Sequence, residues 1–498
     1  MSRKRAAPGW IPHGIRTLSA MAKLFVEESF PTREYAQLKD EVDPLHYLRS
    51  EFTIPTRGDL KRKTLYKTDS EKLEDDDSSI YLCGNSLGLQ PKCLPAYINA
   101  QLAAWATKGV VGHFVEHSDS PVPPFLHVDD IAAKKMAPIV GAKDGEVAVM
   151  GNLTANLHFM LDSFYRPDGE RTQIIMEENA FPSDRYAVES HIISRGLDPS
   201  KNLILIPSYP TLSIPAILDT ITAHTKTAAL VLFGGVQYLT GQLLPMKKIA
   251  AHAHMYGITT GFDLAHAVGN VPLSLHDWDI DFAVWCSYKY LNAGPGAIAG
   301  LFIHEKHDFV QPGCTEGNET TAIKYRPRLS GWWGADKASR FAMSPHFVPR
   351  PGAAGYQLSN PSCIDIASLL ASLSIFEKTS MSELRSKSVG LTEYLEDLLW
   401  NHQPAWTVST PAPFKIITPN DPQERGAQLS LQFDNPKLLE KMLAGLEKEG
   451  IIVDERKPDV IRVSPAPLYN SYEDVWVFCH AFWGILHSIM FPDKRGGG

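Results

Sequence analysis

Residues 261–300 read GFDLAHAVGNVPLSLHDWDIDFAVWCSYKYLNAGPGAIAG, and three β-rich apolar runs meet in and around them: Ile258–Phe262, Phe282–Trp285 and Ala297–Ile303. Short apolar runs rich in β-branched and aromatic residues, bounded by Gly, Pro and Asp, predict strands. The same texture extends N-terminally through Gln173–Met176, Leu203–Pro207 and Ala228–Phe233. Helical stretches fall between several of these runs, at Arg185–Arg195, Ile214–His224 and Lys247–Tyr256. Parallel neighbours need a long crossover, so strands alternating with helices predict βαβ units and an α/β fold with a mostly parallel sheet. Gly257 supplies a helix stop directly before Ile258–Phe262.

Lys289 is the only charged residue from Phe282 to Ile303. An unpaired ammonium inside a protein is costly, so this side chain must snorkel to solvent, find an anion or lose its proton. A lysine held neutral by desolvation is a nucleophile that condenses with carbonyls. It follows a strand and precedes the turn Asn292-Ala-Gly-Pro-Gly296, where open α/β sheets present side chains to ligands. Asp263 closes the strand Ile258–Phe262 at the same end, with His266 three residues on. Singly, Asp263 could cap a helix, His266 could be a satisfied core histidine and Lys289 a surface cation. Together, a strand-end carboxylate, a histidine and an isolated amine after the next strand can hold a protonated heterocycle and react with its carbonyl.

Composition sets the wider limits. The 498 residues allow two to four domains at roughly 100–200 residues each. A hydrophobic content of 44% with 10% aromatics excludes global disorder. Lys and Arg number 48 against 56 Asp and Glu, so the net charge is −8 and no basic excess exists to hold nucleic acid. The cysteines, at 83, 93, 286, 314, 363 and 479, show no CxxC spacing, which suggests neither a metal site nor a disulfide framework and fits a reducing compartment. The apolar run Val475–Phe491 carries His480, His487 and Ser488 and follows Ser471 and Asp474, a helix-capping pair. It reads as a buried C-terminal helix and not as a membrane span. Arg3, Lys4, Arg5, Arg16 and Lys23 all precede the first acid, Glu27, as in a mitochondrial transit peptide. Pro8, Gly9, Pro12 and Gly14 favour a flexible tail over 1–26 instead, and a cytoplasmic location is expected.

Pro345, Pro349, Pro351, Gly352 and Gly355 mark a boundary. Beyond it, helical runs at Ile364–Glu377, Ser382–Leu399 and Pro436–Glu449 mix with strands at Ala427–Phe433, Gly450–Asp454 and Val460–Val463. A smaller α+β domain over 346–498 is expected after a large α/β domain over 90–345. Residues 27–80 read as short helices and polar loops, with Glu71–Asp77 as a solvated acidic loop. Two motifs in this half look catalytic. Gly84-Asn-Ser86-Leu-Gly88 matches the GxSxG nucleophile elbow, but no series of strands precedes it and Pro91 lengthens the turn. His113-Phe-Val-Glu116-His117 matches the HxxEH of zinc peptidases, but Gly109, Gly112, Pro121, Pro123 and Pro124 argue against the helix that motif needs.

Eight segments in order carry a resemblance: GNSLGLQP at 84–91, LTANLHFM at 153–160, FPSDRYAVES at 181–190, GVQYLTGQ at 235–242, the Asp263–Lys289 block, LSGWWG at 329–334, LSNPS at 358–362 and IRVSPAPLYN at 461–470. The chain resembles aminotransferase class V enzymes of fold type I, and within them most closely the kynureninase family, over roughly residues 30–490. The resemblance implies a pyridoxal 5′-phosphate cofactor and a small domain completed by residues 27–89. It implies Lys289 as the lysine that joins the cofactor, Asp263 as partner of the ring nitrogen with Asp184 nearby, and His266 as support for Asp263. It implies Phe181 stacked on the ring with Pro182 and Ser183 beside it, and Leu153, Thr154 and Tyr288 at the phosphate. Trp332 and Asn360 would contribute across the interface of a homodimer with shared active sites. Arg462 would take the substrate carboxylate, a pairing that suits its planar fork, while Ser86, His113 and Asn360 would shape the aryl pocket. Tyr288 would also return a proton late in the reaction. Gly234 stands where relatives often have Ser, so a side-chain hydroxyl is missing there.

The activity implied is hydrolysis of L-kynurenine or 3-hydroxy-L-kynurenine to anthranilate or 3-hydroxyanthranilate plus L-alanine, in tryptophan degradation and de novo NAD biosynthesis. Three alternatives have distinct signatures. A cysteine desulfurase of the same fold needs an activated loop thiol, for which Cys314 and Cys363 are the candidates. A serine hydrolase would rest on Ser86 and bind no chromophore. A non-catalytic relative would lack the lysine or its acidic partner.

Overall fold

The computed structural model describes residues 31–66, 76–311, 315–316, 319–320, 324–343 and 345–492. The expected tail over 1–26, residues 71–75 of the acidic loop and Cys314 lie outside them.

A seven-stranded sheet organises the first half: β1 (Val147–Val149), β2 (Gln173–Glu177), β3 (Leu203–Ile206), β4 (Ala228–Gly234), β5 (Thr259–Asp263), β6 (Phe282–Trp285) and β7 (Gly300–Ile303). Its order is β1-β7-β6-β5-β4-β2-β3. Only β7 breaks the parallel run, lying antiparallel between β1 and β6. Three helices precede the sheet, α1 (Arg33–Val42), α2 (Leu94–Lys108) and α3 (Val128–Val140), and those between its strands include α4 (Leu153–Phe164), α5 (Pro182–Ser194), α6 (Ile214–Ala223) and α7 (Met246–His254).

The strands read as continuous apolar runs because both faces are covered. Side chains still alternate. Ile175, Val231, Phe233, Phe262, Ala283, Trp285 and Phe302 enter one core. Ile174, Met176, Leu230, Leu232, Phe282, Val284, Leu301 and Ile303 enter the other. Register then fixes the ligand end of the sheet. Asp263 pairs with Gly234 on one side and with Val284 on the other, and Glu177 ends β2 nearby.

A second sheet lies towards the C-terminus: β8 (Phe414–Ile416), β9 (Leu429–Phe433), β10 (Asp454–Arg456) and β11 (Val460–Val463), antiparallel in the order β8-β9-β11-β10. Helices α8 (Cys363–Phe376), α9 (Met381–Trp400), α10 (Pro436–Lys448) and α11 (Tyr472–Met490) accompany it. Its core joins Leu395, Leu431, Phe433, Ile461 and Phe482 to Ala36, Ile80 and Leu82 from the start of the chain. The strand expected over Gly450–Asp454 divides, because its two ends have different neighbours. Ile451–Ile452 pairs in parallel with Ile80–Tyr81, while Asp454 begins β10. Asp40 of α1 accepts from the N–H groups of Tyr472 and Glu473, at 2.7 and 2.9 Å, and so caps α11 across the fold. Ser471 and Asp474 form the expected capping box on α11. Among the described residues no helix is long and apolar enough to cross a membrane.

Candidate active site

A cleft of about 550 Å³ opens at the carboxyl ends of the parallel strands, lined among others by Leu153, Thr154, Phe181, Ser183, Asp184, Asp263, His266, Tyr288 and Lys289. The expected residues that line it come from five separate elements or loops, and the sheet order is what brings them together.

Asp263 is the last residue of β5 and is buried. Its Oδ1 accepts the Ala265 N–H at 2.7 Å. Burial raises the pKa of Asp263 and raises that of Asp184, in the first turn of α5, much further. Two carboxyls that close cannot both ionise without cost, and the deeper rise at Asp184 favours Asp184 as the side that keeps a proton. Asp263 is the anionic member, helped by the Asp184 hydrogen bond, the Ala265 N–H and the nearby Lys289.

Lys289 follows β6. Its Nζ lies 2.8 Å from Nε2 of His266. Burial lowers the pKa of both groups, and each opposes a charge on the other. The His266 ring addresses the lysine, and its Nδ1 is buried with no hydrogen-bond partner among the described residues. Beneath the lysine lies the Gly-rich turn of the elbow-like motif. Gly88 N–H donates to the Tyr288 carbonyl at 2.8 Å. A Cβ on Gly88 would stand 2.3 Å from the Lys289 carbonyl oxygen, and one on Gly84 would stand 2.9 Å from Ala466 Cβ. The glycines serve close packing, and Ser86 sits in that turn with its N–H on the Cys83 carbonyl.

Opposite Lys289, two helices start at the cleft. Thr154 of α4 and Ser183 of α5 share a hydroxyl–hydroxyl hydrogen bond of 2.8 Å. Leu153 and Thr154 are the first two residues of α4, where N–H groups precede the first intrahelical bond and favour an anion. Phe181 precedes α5, and Lys289 Nζ stands 6.0 Å from its ring centroid. Pro182, the first residue of α5, fixes the entry into that helix. Tyr288 has its pKa raised by burial, which keeps the phenol protonated.

Several cleft residues were not anticipated. Glu177 is buried at the end of β2, receives Gln237 Nε2 at 3.1 Å, and is pushed up to about 7 by burial. Tyr238 meets the Phe181 ring edge-on with centroids 5.5 Å apart, and its carbonyl accepts Arg462 Nη1 at 2.7 Å. Through that contact Arg462, fully buried on β11, borders the cleft without lining it.

Other expected residues stand apart within one chain. His113 and Asn360 share a separate cavity of about 730 Å³ with Gln101, Trp105 and Phe125. His113 ends a short 3-10 turn, Gly109–His113, and its Nδ1 contacts the Val110 carbonyl at 3.0 Å, so the HxxEH segment is no zinc-binding helix. Trp332 packs edge-on against Phe341 and is 45% exposed. Cys363 is pushed up to about 11 by burial, the reverse of thiolate activation. Away from the cleft, Glu146, His276 and His304 bring ligand-type atoms within 4.8 Å of one another. The two rings stack at 19°, however, which aims their nitrogens along parallel planes, and Glu146 already holds His276 Nδ1 at 2.9 Å.

The donor set fits pyridoxal phosphate. Asp184 Oδ1 and His266 Nδ1 are buried without hydrogen-bond partners among the described residues. A strand-end carboxylate, an amine whose pKa burial lowers, an aromatic face and a helix N-terminus match the ring nitrogen, carbonyl, ring and phosphate of such a cofactor.

Comparison with known proteins agrees. A profile of aminotransferase class V matches residues 133–328, and one of the kynureninase C-terminal domain matches residues 384–482. Kynureninase 1 of Aspergillus oryzae is 54% identical over 456 residues, covering 91% of this chain and 93% of that protein. Kynureninase 1 of Aspergillus niger is 55% identical, covering 89% and 94%. Kynureninase of Coccidioides immitis is 52% identical, covering 91% and 93%. Among solved structures, the cysteine desulfurase CsdA of Escherichia coli has a TM-score of 0.66 at 16% identity, covering 90% of this chain and 99% of its own. A C-DES mutant with glycine linked covalently to its PLP cofactor has a TM-score of 0.65 at 16% identity, covering 81% and 96%. At such identity these two likenesses speak for the fold alone.

Proposed function

The chain belongs to the kynureninase family, and from that premise we propose how its residues share the work of a pyridoxal-phosphate-dependent hydrolysis. The enzyme hydrolyses kynurenine, giving an anthranilate and L-alanine. The observation that carries the assignment of roles is the convergence of Lys289, His266, Asp263 and Asp184 in one buried cleft.

Lys289 would hold the cofactor, and its amine, whose pKa burial lowers, would take the α-proton of the substrate. Asp263 and Asp184 would hold the ring nitrogen. Phe181 would cover one ring face, with Pro182 and Ser183 beside it. Leu153, Thr154 and Tyr288 would hold the phosphate. When bound, the cofactor supplies an electron sink for the charge left at the substrate α-carbon. Tyr288, protonated, then returns a proton on the way to alanine. Arg462 takes the substrate carboxylate: its Nη2 is buried and makes no hydrogen bond of good geometry among the described residues.

We further propose a homodimer with shared sites, in which Trp332 and Asn360 reach the partner's cleft and Ser86, His113 and Asn360 bound the aryl group. Exposed Trp105, Val110, Phe114, Trp332 and Phe341 support it, because so large an apolar display marks an interaction surface. Domain limits of 27–89, 90–345 and 346–498, with the first segment completing the small domain, and a cytoplasmic location complete the reading.

The test is direct. Purified enzyme reconstituted with the cofactor should show a visible absorption band, and Lys289→Ala should lose the lysine-linked band and turnover. A colourless wild type overturns the cofactor roles, and a coloured one that releases no alanine from kynurenine overturns the substrate. Mixing Lys289→Ala with Asn360→Ala should restore activity through hybrid dimers; no recovery removes the shared site.

A further inference from the structure

Arg462 on β11 stands directly opposite Asp454 on β10, and Arg456 lies two residues further along β10. Opposed positions and positions two apart share a face of a sheet, so register alone gathers these three charges. One oxygen, Asp454 Oδ1, accepts Arg462 Nε at 2.9 Å and Arg456 Nη1 at 2.5 Å. Arg462 Nη2 comes within 2.7 Å of the same oxygen, but at an angle that leaves it without a hydrogen bond. Nη1 is tied to the Tyr238 carbonyl on the cleft wall at 2.7 Å. The Arg462 side chain is fully buried and that of Asp454 nearly so, whereas Arg456 is a third exposed. Two arginines and one aspartate leave one positive charge unmatched, the complement of a single carboxylate.

We propose that Asp454 is a positioning residue for the carboxylate end of the substrate: gripping Arg462 through Nε, it turns the remaining edge of the guanidinium to the cleft, while Arg456 steadies Asp454 from its open side. This rests on the assignment of Arg462 to that carboxylate. A guanidinium is directional, so its rotation removes a bidentate fit even where the charge remains. The claim runs against simple electrostatics. Asp454 is an anion beside a site for an anion, and its neutralisation would tighten binding if charge alone mattered.

Asp454→Asn in the cofactor-loaded enzyme tests it. KM for kynurenine and the dissociation constant of L-alanine, read from the visible band, should both rise roughly ten- to a hundredfold, the size of a charged hydrogen bond. The affinity of ethylamine, which has no carboxylate, should not change, and kcat should stay within a few-fold. Unchanged or tighter L-alanine binding overturns the proposal. Arg456→Gln, at a more exposed position, should weaken L-alanine several-fold with ethylamine unaffected; if Asp454→Asn fails to fold, unaltered L-alanine affinity in Arg456→Gln overturns the proposal by itself. Arg462→Lys run in parallel separates the two claims. If it binds L-alanine normally, the Arg462 assignment fails; if it loses L-alanine while Asp454→Asn does not, only the role of Asp454 fails.

Discussion

Nζ of Lys289 stands 2.8 Å from Nε2 of His266, and burial drives both groups towards their neutral forms. The contact holds the amine in place, and burial lowers its pKa and so favours release of its proton. A fixed position and a lowered pKa are what the proposed role of Lys289 asks of an amine.

Replacement of Lys289 should therefore separate position from chemistry. Lys289→Arg puts a permanent cation in the cleft that cannot deprotonate, and it should be as inactive as Lys289→Ala, with turnover down at least about a thousandfold. Steady-state alanine release checks this. Substantial activity in Lys289→Arg would reject the amine as the reacting group.

Gly88→Ala should damage the site from below. The new Cβ would meet the Lys289 carbonyl at 2.3 Å and Asn292 Oδ1 at 2.1 Å, and a backbone oxygen cannot move aside alone. Stability should fall by about 1–3 kcal/mol, as in other overpacked sites, and the cofactor should bind less tightly. Denaturant unfolding and a cofactor titration measure the two effects. Ser86→Ala, in the same turn, should alter KM without abolishing turnover, and wild-type enzyme should not label with a fluorophosphonate.

These residues differ in how plainly the sequence announces them. Lys289 and Asp263 are local anomalies, one charge in an apolar run and one acid at a strand end, so they were legible. Glu177 was not. Glu177 and Glu178 are adjacent acids, and only the end of β2 between them buries the first and exposes the second. The reversed direction of β7 was equally hidden, because an apolar run carries no polarity. Arg456 is one of several consecutive charges, and only the register that sets Asp454 opposite Arg462 singles it out. Trp332 and Asn360 are absent from the cleft of their own chain, and no single-chain pattern could place them elsewhere.

Glu177 makes stability depend on pH. Its folded pKa is near 7 against an ordinary 4.5, with burial the main cause. Between those values the unfolded chain releases a proton that the folded chain keeps, so stability falls as pH rises through that window. Glu177→Gln keeps an acceptor for Gln237 and removes the titration. The apo form of this variant should gain stability on wild type at pH 8, by up to about 3 kcal/mol, and none at pH 4. Unfolding midpoints at the two pH values decide it; an equal difference at both would mean that folding does not shift the Glu177 pKa.

The proton shared by Asp184 and Asp263 predicts an asymmetry between two similar substitutions. If Asp184 carries the proton, Asp184→Asn substitutes an amide for a neutral acid and leaves Asp263 charged. The ring nitrogen then keeps its anion, and turnover should fall by no more than about tenfold. Asp263→Asn removes the anionic member. Asp184, whose pKa lies well above the usual carboxylate range through burial, would have to ionise in its place. Turnover should then fall by about a hundredfold or more, and cofactor binding should weaken. Parallel measurement of kcat and cofactor affinity compares the pair. Equal losses in both variants would show that the proton does not reside on one side, and the reverse order would move the anion to Asp184.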